Sequence, residues 1–112
     1  MTRAFVMAAV AVLVTASVAR AEMPDYDVKK HCQRVASFTG TPSQSLLQSC
    51  FELEQTAYDH LKPTWESLPA AMKSHCDRVA KFAGDGSFSL LESCIDQEQQ
   101  AKKGNEQFQF KR

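Results

Sequence analysis

Residues 31–57 read HCQRVASFTGTPSQSLLQSCFELEQTA, and residues 75–101 read HCDRVAKFAGDGSFSLLESCIDQEQQA. The two segments align without a gap at an offset of 44, and 16 of the 27 positions are identical. Unrelated segments agree far less often, so one unit has been written twice. A repeat of this period is a supersecondary unit that cannot bury its apolar face alone and stacks on its neighbour to do so. Each unit also carries two of the four cysteines. Any fold of this chain is therefore built from two like pieces, each able to close one internal crosslink.

Periodicity gives the shape of the unit. Val28, Cys32, Val35 and Ala36 fall on one helical face, and Met72, Cys76, Val79 and Ala80 repeat it. After a short break, Leu47, Cys50, Glu54, Ala57 and Leu61 follow the same spacing, with Leu91, Cys94, Glu98 and Ala101 as counterparts. Gly40 and Gly84 stand where a helix ends in left-handed backbone. Thr41-Pro42-Ser43-Gln44 reads as a helix start, with Thr41 as N-cap, Pro42 at the first helical position and Gln44 closing a capping box. Asp85 takes the equivalent cap position in the second unit. Each unit is predicted to be helix, tight turn, helix.

The cysteines fit that hairpin. Cys32 and Cys50 each lie nine residues from Thr41, and Cys76 and Cys94 each lie nine residues from Asp85. Residues equidistant from the turn of an antiparallel hairpin sit at the same height, and all four fall on the apolar face. A disulfide needs Cα atoms about 5.5–6 Å apart, which this placement supplies. Of the three possible connectivities, the spacing predicts Cys32–Cys50 and Cys76–Cys94. Each bridge should contribute roughly 3 kcal/mol in the chain-entropy picture. Redox pairs and zinc sites use closer cysteines, so these bridges read as structural staples.

The amino end has a different character. Residues 1–21, MTRAFVMAAVAVLVTASVARA, place Arg3 before an apolar run from Ala4 to Val14 and end in Ala19-Arg20-Ala21. That is the layout of a cleaved signal peptide, with the cut between Ala21 and Glu22. A membrane-spanning helix needs roughly 20 apolar residues, more than this run offers, and the segment has no cysteine for a lipobox. The expected product is periplasmic or secreted, has no transmembrane anchor after processing, and lives where disulfides persist. The whole chain has 13 Lys+Arg and 13 Asp+Glu. Removing Arg3 and Arg20 leaves 11 against 13, a net charge of −2. A mildly acidic product lacks the basic footprint of nucleic-acid binding.

The expected organisation is a signal peptide at 1–21, a helical domain at 22–103 with hairpins at 25–62 and 68–103, and a flexible tail at 104–112. Pro63 and Pro69 interrupt the helices between hairpins. Ser67 is expected to cap the third helix with Pro69 in its first turn. Leu61, Trp65, Leu68 and Met72 are expected to pack the hairpins together. Beyond Gly104 no full apolar face remains, although Phe108 and Phe110 could dock on the bundle or on a partner. The fold class is all-α, a four-helix bundle of two disulfide-stapled hairpins.

Few residues suggest chemistry. His31 and His75 precede the first cysteine of each unit, and Glu54 and Glu98 lie four residues after the second. Such a duplicated pair could hold a metal at the hairpin junction. No His-x3-His or Glu-x-x-His pair supports it, and His31 points about 100° from the core face by helical geometry. Ion pairs of Lys29 with Glu54 and of Lys73 with Glu98 fit the spacing better. Arg34 and Arg78 can reach Gln48 and Glu92 across each hairpin. Ser87, Ser89 and Ser93 lack a Gly-x-Ser-x-Gly context, and the chain has neither a phosphate loop nor a dinucleotide fingerprint. The reading is a protein that is not an enzyme and uses no cofactor.

The repeated His-Cys-x-Arg-Val-Ala-x-Phe…Gly…Ser-x-Ser-Leu-Leu-x-Ser-Cys-x3-Glu-Gln pattern, over about 25–105, resembles a group of small exported alphaproteobacterial proteins with a duplicated Cys helical hairpin. That resemblance implies an exported helical protein and brings no activity with it. Cys50-x3-Glu54…Ala57…Leu61…Trp65 is similar in style to the Cys-x3-Glu…Leu…Tyr pattern of LprI-type lysozyme inhibitors, with Trp65 in the place of the Tyr and Lys62 in that of an Asn. The expected function is a disulfide-stabilised binding module whose partner is a protein or an envelope component. The alternatives are an inhibitor of a cell-wall hydrolase such as lysozyme, or a periplasmic metal-binding or stress protein. The sequence leaves the oligomeric state open.

Overall fold

A computed structural model describes residues 9–12 and 22–112. Most of the expected signal peptide, including Ala21 at the expected cut, lies outside the described residues. The described chain is all-helical: α1 (Val28–Ala36), α2 (Gln44–Leu61), a 3-10 turn (Trp65–Ser67), α3 (Ala70–Ala80) and α4 (Phe88–Gln107). Among the described residues, no helix is long and apolar enough to cross a membrane.

Both hairpins close as the spacing predicts. Cys32–Cys50 and Cys76–Cys94 are bonded, with Cα atoms 5.5 and 5.4 Å apart. Gly40 and Gly84 take φ of 104° and 121°, where a Cβ would be strained. The cap residues differ from expectation. Ser43, not Thr41, caps α2, its hydroxyl accepting from the Leu46 N–H. The Ser43 N–H donates to the Ala36 carbonyl. Thr41 and Pro42 are therefore spent crossing from one helix to the next, and the new helix can start only after them. Ser87 plays the same part for Leu90 in α4, which releases Asp85 for another role. Ser67 does not cap α3; it sits in the 3-10 turn and donates to the Thr64 carbonyl. Extended backbone at Pro69 precedes α3 instead. The fourth helix runs on through Gly104 to Gln107, four residues past the expected boundary of 103.

α1 packs on α2, α3 on α4, and α2 on α4. The main core joins Tyr26, Ala57, Leu61, Trp65, Leu68, Phe88, Leu91 and Ile95 to the second disulfide. Leu61, Trp65 and Leu68 pack the hairpins together as expected, with Met72 partly buried beside them. The Trp65 indole N–H donates to the Glu22 carbonyl and ties the segment before α1 to the bundle. Val35 and Val79 leave the expected core face and are exposed. The disulfide and the alanine (Ala36 or Ala80) fill the narrow gap between paired helices. Each valine, rotated about 100° from that alanine, is left on the flank.

Candidate functional site

The two hairpins share a sequence but not an environment. In the first, Glu54 on α2 is 2% exposed. Its carboxylate accepts from the Ser87 hydroxyl (2.7 Å), the Ser89 hydroxyl (2.9 Å) and the backbone N–H of Phe88. Those groups are the start of α4, where unpaired N–H groups and the helix dipole favour an anion. Glu54 thus caps a helix of the other repeat. His31 Nε2 stands 3.6 Å from the same carboxylate, so His31 is turned toward Glu54 and partly buried rather than directed away. Glu54 forms no ion pair with Lys29; its carboxylate is taken up by the α4 start and His31. The Phe88 ring fills the remaining space, 4.6 Å from the Tyr26 ring and 5.0 Å from Tyr58, edge-on.

The rim of this joint is charged. Arg34 pairs with Asp85 at 2.7 Å and donates to the Ala83 carbonyl at 2.6 Å, while Lys30 lies 3.5 Å from Asp85. The expected Arg34–Gln48 contact is absent because a carboxylate outcompetes a neutral amide for guanidinium. Gln48 bonds to Glu52 instead. In the second hairpin Arg78 turns to the Ser74 hydroxyl, and Glu92 pairs with His60 at 3.0 Å. Gly86 passes flat against the Tyr26 ring, where any Cβ would overlap it.

In the second hairpin no helix start among the described residues enters the same groove. His75 Nε2 lies 3.7 Å from Glu98, matching the first pair, but both side chains are about half exposed (50% and 45%). Lys73 lies 5.6 Å from the centre of the Trp65 ring and does not pair with Glu98. An open groove of about 570 Å³ remains, lined by Pro69, Met72, His75, Glu98, Ala101 and Lys102 among others. Ala101 is exposed where its counterpart Ala57 is buried.

Two chemical readings can be tested on this geometry. A metal site needs a third ligand, and among the described residues no group of three or more His, Cys, Asp and Glu is placed to hold an ion. A nucleophilic triad needs the imidazole between serine and carboxylate. Here the order is serine, carboxylate, imidazole, so His31 is not placed to take the proton of Ser87 or Ser89. The cluster acts as an interlock.

One further, partly buried contact crosses the domain. The Tyr26 hydroxyl donates to Asp77 at 2.6 Å, and Lys81 pairs with Asp77 at 2.8 Å. Burial, then the bond to Asp77, pushes the Tyr26 phenol well above its ordinary range. Burial alone would raise the Asp77 carboxyl, but the bonds from Lys81 and Tyr26 outweigh it and hold the group below the usual carboxylate value.

Among the described residues, the most exposed large apolar side chains sit at the hairpin tips. Phe38 and Phe82 are 91% and 94% exposed, and each follows an exposed valine, Val35 or Val79. Leu46 and Leu90, in the first turns of α2 and α4, are also exposed. Helical periodicity places Val35 and Val79 on the core face and gives Phe38, Phe82, Leu46 and Leu90 no role. The available signal was the recurrence of Phe between the end of one helix and the turn glycine, outside either apolar stripe. Ser87 and Ser89 as partners of Glu54 had no local signal, because they lie more than thirty residues away in the chain. The chain matches no protein-family model, and no curated protein or solved structure is significantly similar to it.

Proposed function

We propose that this chain is an exported, non-enzymatic binding module, held rigid by two disulfides, that grips a protein or envelope component with its hairpin tips. The observation that carries the reading is the pair Phe38 and Phe82. Both tips keep a large aromatic in water, although the residues flanking it differ (Ser37 and Thr39 in one, Lys81 and Ala83 in the other). Neither ring contributes to the core. Aromatic side chains are enriched among the residues that dominate binding at protein interfaces, and each ring has an exposed valine and leucine in the same repeat unit. Two bridges in a small helical domain suit an oxidising compartment such as the periplasm, and a rigid tip loses little entropy on binding.

The test compares the oxidised protein with its F38S/F82S variant, each immobilised and exposed to periplasmic extract and, separately, to lysozyme. Retention of a partner by the parent and not by the variant supports the reading. Lysozyme retained and blocked at one-to-one stoichiometry identifies the partner as a cell-wall hydrolase. Equal retention by both proteins overturns the role of the tips.

A further inference from the structure

The chain contains one complete joint between two like units, and half of the same joint stands open at each end. In the complete joint, the groove of the first hairpin (His31, Glu54) receives Ser87-Phe88-Ser89 at the start of α4. By the repeat offset, the unfilled groove is His75 with Glu98, and the unused helix start is Ser43-Gln44-Ser45. We propose that the His75–Glu98 groove receives the α2 start of a second copy of this chain, so that copies associate head to tail.

Both halves are already shaped for it. The Ser43 and Ser45 hydroxyls lie 3.2 Å apart, as Ser87 and Ser89 lie 3.0 Å apart in the filled joint. The His–Glu distances, 3.7 and 3.6 Å, agree as closely. Among the described residues, Glu98 has none of the donors that Glu54 has, and no anion from outside the helix meets the first N–H groups of α2.

The positions that differ between the joints differ in compensating ways. Tyr26 and Tyr58 hold the Phe88 ring in the first joint. Their counterparts are Ala70 and Lys102, and the counterpart of Phe88 is Gln44. The second groove has lost its aromatics, and the segment that would enter it has lost its ring. Lys102, Asn105 and Glu106 line the groove and offer polar partners to the Gln44 amide. Where Gly86 must lie flat on Tyr26, the corresponding contact sets Pro42 against Ala70, and the missing ring leaves room for proline.

Asp85, which pairs with Arg34, becomes Thr41 facing Arg78, so the joint between copies is weaker than the one within. Each copy offers one groove and one helix start, a heterologous contact that extends unless its rotation closes. Phe82 stays exposed in the joint within the chain, so Phe38 stays exposed in the joint between copies and the tips remain free.

Sedimentation velocity on the oxidised protein, expressed from the full sequence, tests the proposal with two variants. A101R fills the groove from an exposed helical position, and S45E sets a carboxylate against Glu98 while suiting a helix first turn. The parent should self-associate between about 10 µM and 1 mM. Each variant should keep the parent's circular dichroism and melting temperature, yet associate at least about tenfold more weakly. Mixing the two restores one intact joint and should give a one-to-one dimer that grows no further. A parent that stays monomeric to about 1 mM, association that either substitution leaves intact, or a mixture that stays monomeric would each overturn the proposal.

Discussion

Glu54 and Glu98 make a controlled experiment inside one molecule. They are the same residue at the same place in the same hairpin, yet one is buried under α4 and the other half exposed. Replacing Glu54 by Gln keeps the volume and one acceptor oxygen, which the Phe88 N–H will claim. The serine hydroxyls can rotate to accept from the new amide. What is lost is the negative charge at the α4 start, worth up to about 2 kcal/mol in a partly buried setting. Part of the difference between charged and neutral hydrogen bonds is lost with it, while the easier desolvation of an amide offsets some of the sum. The expected net cost is about 2 kcal/mol. For a domain of this size that is a fall of roughly 8–16 °C in Tm. Glu54→Ala, which also opens a cavity and strands the three donors, should cost about 4 kcal/mol. Glu98→Gln and Glu98→Ala should stay within about 0.5 kcal/mol. The assay is urea unfolding followed by circular dichroism, disulfides intact and protein dilute enough to be monomeric. Equal losses at positions 54 and 98, or a Glu54→Gln cost under about 0.5 kcal/mol, would refute the view that Glu54 locks the two repeats together.

Three other outcomes follow from the same contacts. The raised Tyr26 phenol contributes stability that is full below its ordinary value of about 10 and is lost as pH rises above it. The lowered Asp77 carboxyl contributes stability present above about 3.9 and lost as pH falls below it. Melting temperatures across pH should therefore drop at both extremes, and Tyr26→Phe should flatten both shoulders; an unchanged profile would contradict the Tyr26–Asp77 link. Gly86→Ala combines left-handed backbone with overlap on Tyr26 and should cost about 2–4 kcal/mol. Gly40→Ala, with open space around it, should cost about 1 kcal/mol; similar values at the two sites would argue against the close approach. A non-reducing peptide map should link only Cys32 to Cys50 and Cys76 to Cys94, and replacing either pair by alanine should lower stability by roughly 3 kcal/mol, measured by the same urea unfolding.

The hairpin is legible in the sequence because everything that makes it is local. Helical spacing fixes the faces, a turn glycine fixes the reversal, and equal distances from the turn bring each cysteine to its partner's height. The caps lie two residues beyond the expected positions because the chain must first cross between helices, a span that Thr41-Pro42 and Asp85-Gly86 supply. The expected partners of Glu54 and Arg34 lie within one hairpin, whereas both residues bind the other repeat.

That last difference marks the boundary between what the sequence determines and what only the tertiary structure decides. By itself the sequence determines two stapled helical hairpins. It cannot assign different fates to residues it writes twice: His31 and His75, Arg34 and Arg78, Glu54 and Glu98 have nearly the same neighbours along the chain. Their fates part because the hairpins join head to tail, one groove closing over one helix start. A joint of that kind between two like units buries the carboxylate of the first and leaves that of the second open to solvent.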